Sequence, residues 1–154
     1  MTRPNVFSDG DWDMEREQMG LRGRSVAEPA GTKELDATVY ELDPGASGFH
    51  LHAHYGLEEL FVVLEGTPTL RTHEGEHDLT RGDVVACPRG REGTHTFANR
   101  SELPVRLLAV STRNFPDVVL YPELGKAFVM TRHPFEDLPE DVDQGLVKVF
   151  ELDA

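Results

Sequence analysis

Cysteine is almost missing from this chain: Cys87 stands alone among 154 residues. A single thiol cannot form an internal disulfide, and a structural zinc site normally recruits several cysteines. Long apolar runs are also missing. No stretch approaches the roughly 18 apolar residues that a bilayer span needs. The opening "MTRPNVFSDGDWDMERE" places no apolar run behind its early arginine, so it does not read as a secretory signal. Positive charge is scarce. Lys and Arg together number 15 against 28 Asp and Glu, a formal net charge of −13. Such a surface repels phosphate backbones. These scarcities predict a cytoplasmic, soluble protein with neither nucleic acid nor membrane as partner. The length suits one domain with a real core.

What the chain does have is a succession of short apolar–polar alternations. They run through "DATVYELD", "FHLHAH", "ELFVVLEG", "TPTLRTH", a short strand in "EGEHDLTRGD", "VVACP", "THTFAN" and "PVRLLAVST". About eight short strands between residues 36 and 112, with turn signals roughly every 8–12 residues, predict an all-β barrel or sandwich. Strands do not alternate with long helical patterns, which argues against a doubly wound parallel sheet. Residues 1–34 are polar and weakly patterned, and read as an N-terminal arm with a short helix near Trp12 to Met19. Residues 35–112 form the core. Residues 113–154 are a C-terminal extension packing on the barrel, with one more strand in "PDVVLYP", an acidic stretch "FEDLPEDVD" and a last apolar piece, "LVKVF".

The chemistry concentrates in residues 50–59, "HLHAHYGLEE". Residues two apart on a strand face one side, so His50, His52 and His54 are expected to share a face. Packed inward as plain core, three imidazoles would each carry a polar nitrogen in need of a partner. A divalent metal supplies one, because neutral imidazole is the commonest metal ligand. Glu59 opens the next strand in phase with Phe61 and Val63. A carboxylate added to histidines suits Zn, Fe, Mn, Ni or Co. Phe61, Val63 and Phe97 follow this phase and are expected to form apolar pocket walls. Two pairings stay open, His52 with His54 or His50 with His52. Cys87 reads as a small core residue, His73 and His77 as exposed turn residues, Glu58 as a solvated charge at a bend, and Asn99 as a structural hydrogen-bonding residue. Arg71, Arg106 and Tyr121 are within possible reach of an anionic ligand, although strand arginines usually face solvent.

Two segments together resemble the paired motifs of the cupin superfamily, in the manner of a small single-domain bacterial cupin. "HAHYGLEELFVVLEG" is similar to the first motif through His52, His54, Glu59 and Gly66. "GDVVACPRGREGTHTFAN" is similar to the second through Gly82, Pro88, Gly90, His95 and Asn99. Gly45 lies one residue farther from His52 than the family spacing, and the gap from Gly90 to His95 is two residues longer. Both differences fall in turns, where insertions are tolerated. The resemblance implies a double-stranded β-helix, or jelly-roll, barrel. It also implies a divalent metal ion, of identity Fe, Mn, Ni, Co or Zn, held by His52, His54, Glu59 and His95. His50 is then expected beside the centre as a proton-relaying catalytic residue. The function implied is binding of, or action on, a small organic molecule, with oxygenase-like chemistry favoured and a non-catalytic sensor or binding module as the alternative. Small cupins pair along a barrel edge, so the arm is expected to supply a strand to a homodimer.

Overall fold

The structure is a computed structural model that describes residues 2–131 and 148–152. Among these the regular structure is nearly all strand: β1 (Met14–Arg16), β2 (Leu21–Ser25), β3 (Leu35–Leu42), β4 (Ala53–His54), β5 (Glu59–Glu65), β6 (Thr69–Thr72), β7 (Gly75–Asp78), β8 (Val84–Cys87), β9 (His95–Ala98), β10 (Val105–Thr112), β11 (Asp117–Tyr121), β12 (Lys126–Met130) and β13 (Lys148–Glu151). One helical turn, α1 (Ala27–Ala30), interrupts the N-terminal region. The strands form three antiparallel sheets, ordered β1-β2-β3-β10-β5-β8, β13-β12-β11-β4 and β7-β6-β9. The architecture is the all-β jelly roll of the cupin fold.

Period-two patterning builds the core. On β10, Val105, Leu107 and Ala109 are buried, and the residues between them are less covered. They meet Phe61 and Val63 of β5, Leu42 of β3, Leu70 of β6 and Phe97 of β9 inside the barrel. Each such fully buried side chain contributes about 1.5–3 kcal/mol of hydrophobic stabilisation. The opposite face of the six-stranded sheet has its own smaller cluster, in which Val26 and Val6 pack on Val39, Val62 and Leu64. The first 34 residues therefore both extend this sheet, through β1 and β2, and cover part of its outer face, through Val6 and Val26.

Three expectations change here. Trp12 to Met19 do not form a helix; β1 and a 3-10 turn at Glu17–Met19 stand in their place. Met14 lies opposite Gly23 in the β1–β2 ladder, and two-sided strand pairing overrides a weak local helical preference. The stretch "FHLHAH" yields only the two-residue β4, joined by a lone bridge at His52. The extension holds β11, then β12 and β13, the last two unforeseen as strands. Its acidic stretch "FEDLPEDVD", and the start of "LVKVF", lie outside the described residues. No helix among the described residues is long and apolar enough to cross a membrane.

Candidate metal centre

The centre is assembled where four short pieces of backbone meet. His52 and His95 face each other in an antiparallel bridge, each backbone N–H donating to the other's carbonyl at 3.1 and 2.9 Å. His54 ends β4, whose partner is β11. Glu59 begins β5, directly after a bend that passes through Gly56. A Cβ on Gly56 would lie 2.9 Å from the carbonyl oxygens of Asn114 and Pro116. Only glycine lets the bend press against the start of β11.

The three imidazoles are oriented alike. His52 donates its Nδ1–H to the His50 carbonyl at 2.8 Å, and His95 donates likewise to the Gly93 carbonyl at 2.8 Å. His54 donates Nδ1–H to Oδ2 of Asp117 at 2.5 Å. Each ring thereby presents Nε2 inward. The Nε2 atoms of His54 and His95 lie 3.4 and 3.3 Å from Oε2 of Glu59. Ligand atoms of His52, His54 and Glu59 all lie within 4.8 Å of one another, and His95 joins them through Glu59. Its ring centroid is 4.6 Å from that of His52.

Oε2 of Glu59 is buried and accepts no hydrogen bond. A buried carboxylate oxygen left in this state is costly. Here its nearest polar neighbours are the Nε2 atoms of His54 and His95, and the neutral His95 ring turns a lone pair, not a proton, toward it. A divalent cation among these atoms satisfies the oxygen and the Nε2 groups together, and the donor set of imidazoles with one carboxylate suits a transition metal. The residues present fit such an ion.

Electrostatics favour neutral rings at His52 and His95 and a more basic ring at His54. Burial, with the neighbouring rings of His95 and His54, holds His52 well below the usual histidine range. Burial also lowers His95, partly offset by Glu59. Burial would lower His54 too, but the carboxylates of Glu59 and Asp117 outweigh it and raise the group. Asp117 is fully buried. Burial alone would raise it, but the His54 hydrogen bond and the N–H groups of Gly56 and Leu57 keep it ionised. A carboxylate on the far nitrogen of a histidine fixes the ring and makes it a more basic ligand.

Other singled-out residues fall where the backbone sends them. His50 is exposed, lies in the segment between β3 and β4, and does not line the cavity. Alternation holds only inside a strand, and Leu51 sits in a bend, so His50 leaves the face of His52. Phe61 and Phe97 line the cavity; Val63, two residues beyond Phe61 and 2% exposed, lies in the core beneath it. Cys87 is buried, its thiol pushed up to about 12 by burial and the nearby Glu59. His73, His77 and Glu58 are exposed. Arg106 is engaged with Glu41 and Asp9 on the outer face, and Arg71 with Glu123. Tyr121 lines the cavity and stacks on His52 at 5.6 Å. Burial, then Glu59 and Asp117, raise its hydroxyl above the usual tyrosine range, so it stays protonated.

Asp117 is the residue that sequence reasoning missed. It lies 63 positions from His54, and no spacing links them. The one available signal was an acidic residue opening the strand "DVVLY".

The Cupin_2 family, described as a cupin domain, matches residues 38–111. The comparison with curated proteins finds no match. Among solved structures, a cupin-superfamily sugar phosphate isomerase from Silicibacter pomeroyi is 27% identical. That match covers 79% of this chain and 82% of the other, with a TM-score of 0.69. A chain assigned as a sugar phosphate isomerase in Acidithiobacillus ferrooxidans is 25% identical over 75% of this chain and 72% of its own, with a TM-score of 0.67. A polyketide cyclase from Streptomyces resistomycificus shares the fold at 24% identity and a TM-score of 0.55, over 64% of this chain and 69% of the other.

Proposed function

The chain belongs to the cupin superfamily, and from that premise we propose that it holds a divalent metal at His52, His54, Glu59 and His95 and acts there on a small oxygen-bearing organic molecule. The observation that carries this reading is the convergence of imidazole nitrogens on Oε2 of Glu59, a buried atom that accepts no hydrogen bond. A metal bound there supplies Lewis acidity, or electron transfer where the ion is redox-active, at a position open to a ligand.

The chain's own groups do the rest. The Nδ1 anchors of His52, His54 and His95 fix ring orientation before anything binds, so little ordering cost falls on the loaded state. Asp117 holds the Nδ1 proton of His54 and keeps that ring from turning. Phe61 and Phe97 keep water from the donor set, which strengthens every charge interaction inside. The Tyr121 hydroxyl, protonated and beside His52, is a hydrogen-bond donor for a ligand oxygen. The oxygenase-like reading assigns these groups to positioning and water exclusion around a redox-active metal. His50, exposed and outside the cavity lining, does not serve direct proton transfer at the centre in this reading.

A second reading is isomerisation by proton shift, favoured by likeness to two structures that carry the name sugar phosphate isomerase. A binding module without turnover remains the alternative. Assembly as a homodimer stays a proposal. The arm's β2 is paired to β3 within its own chain, which leaves β1 at the sheet edge as the strand for a second copy. A monomer by light scattering ends that part.

Metal content by plasma mass spectrometry, on protein purified without a histidine tag, tests the central claim. About one transition metal per chain is expected, and loss of it in the His52→Ala, His95→Ala double variant. Equal metal in both proteins, or none in wild type after reconstitution, overturns it. Oxygen uptake with loaded protein then separates the oxygenase reading from the isomerase reading.

A further inference from the structure

The cavity that opens onto the donor set has a volume of about 160 Å³. A cavity of roughly 150 Å³ is enough for one benzene ring. Its walls are Phe49, Phe61, Phe97, Leu107, Val119 and Met130. Its polar lining is the three histidines, Glu59 and Tyr121, with the neutral hydroxyl residues Tyr40, Thr96 and Ser111. Glu59 brings negative charge there, with Asp117 behind His54. Among the described residues no lysine or arginine lines this cavity.

Cationic side chains do occur nearby, on the other side of a wall. Gly48, Phe49 and Thr96 line both the cavity and a separate outer groove. Thr96 donates its hydroxyl to the Phe49 carbonyl at 2.5 Å, which ties the wall together. Arg71 and Arg100 lie in the groove. Arg71 pairs with Glu123 at 2.6 Å, and Arg100 pairs with both carboxylate oxygens of Glu76 at 2.7 and 2.8 Å. They are turned outward and neutralised by partners.

We infer that the molecule taken into the cavity is an uncharged, single-ring-sized compound whose oxygen atoms meet the histidines and Glu59 while its body fills the aromatic and aliphatic walls. A sugar phosphate does not suit these walls. Its phosphate would give up hydration among phenylalanines without a cation to receive it, and burying an unpaired charge is heavily unfavourable. The inference rests on the metal-centred reading above and narrows its substrate class away from that of the two isomerase-named structures.

The test is calorimetric binding to wild-type protein loaded with zinc, which does not oxidise the probe, with metal content measured on the same sample. The probes are catechol and fructose 6-phosphate. Catechol is expected to bind at least tenfold more tightly. Met130→Arg, which puts a cation in place of an apolar wall residue, is expected to keep the zinc and shift the preference at least tenfold toward fructose 6-phosphate, and an unshifted preference counts against the inference. Fructose 6-phosphate binding as tightly as catechol in wild type overturns the inference and leaves the metal reading standing. Bound zinc with no binding of either probe does the same. Protein that takes up no zinc overturns the metal reading and this inference with it.

Discussion

Two carboxylates, Glu41 and Glu59, sit in the six-stranded sheet within one strand of each other, and their surroundings differ in kind. Glu41, on the outer face, is 6% exposed, and both of its oxygens are claimed. Arg22 donates to Oε1 and Arg106 to Oε2 at 2.7 Å. Burial would raise this carboxyl, but the two guanidinium groups more than offset it and hold it below the usual range. Glu59, on the inner face, has the Nε2 atoms of His54 and His95 aimed at it at 3.4 and 3.3 Å, and its Oε2 accepts no hydrogen bond. A carboxylate with every oxygen occupied is doing structural work. One left open inside a rigid ring of ligands is prepared for something that arrives later.

The sharpest break of this contrast lies at the histidines. His52→Ala with His95→Ala is expected to take metal content from about one per chain to near zero, read by mass spectrometry, and retained metal would show that Glu59 is satisfied some other way. Next comes the buried pair on the outer face. Glu41→Ala is expected to destabilise the fold by about 2–4 kcal/mol, discounted for the partial exposure of Arg22, because two guanidinium groups lose their partner. Metal affinity should be unmoved, so denaturation and metal titration of the same variant separate the two carboxylates. Asp117→Asn is expected to weaken metal binding by about 10–100-fold, the usual cost of losing a carboxylate behind a histidine ligand. A change below twofold would make Asp117 a packing residue only.

The smallest effect is one of pH, in metal-free protein. His52 and His95 are depressed in the folded state, so the unfolded chain binds more protons between those depressed values and the ordinary histidine value near about 6.5. Their neutral burial is fully tolerated above that value and costs stability as pH falls below it. His54 is raised and acts in the opposite sense, its contribution present below about 6.5 and lost as pH climbs through its folded value. Two groups against one give a net fall in melting temperature on acidification from about pH 7 to 5. A bound metal should delay that fall, because protons and metal compete for the same nitrogens. A melting temperature that rises on acidification would mean the imidazoles are charged in the fold.

Legibility followed the same divide between local and distant. The strands of the barrel could be read because Val105, Leu107 and Ala109, or Phe61 and Val63, alternate along continuous stretches. His52, His54, Glu59 and His95 lie inside two motif segments, and the structure brings them to one place. His50 could not be placed by alternation, since the strand that would have carried it begins only at Ala53. Asp117 was invisible for the opposite reason: its partnership with His54 is made by sheet pairing between β4 and β11, and nothing along the chain records that pairing. The arm's β1 was hidden because a three-residue strand has too little pattern to outweigh its polar composition.

The backbone bridge between His52 and His95 also bears on how the protein is made. One ligand is synthesised well before the other, and Asp117 follows both. An emerging chain therefore displays His52, His54 and Glu59 before β9 exists to bridge His52 and before Asp117 exists to set the His54 ring. Those groups have no fixed geometry with which to choose among the cell's metals until β9 docks and β11 closes behind it. If the proposed metal binds, selection of the ion would belong to the finished barrel, because the order of synthesis would delay capture until the cage could discriminate.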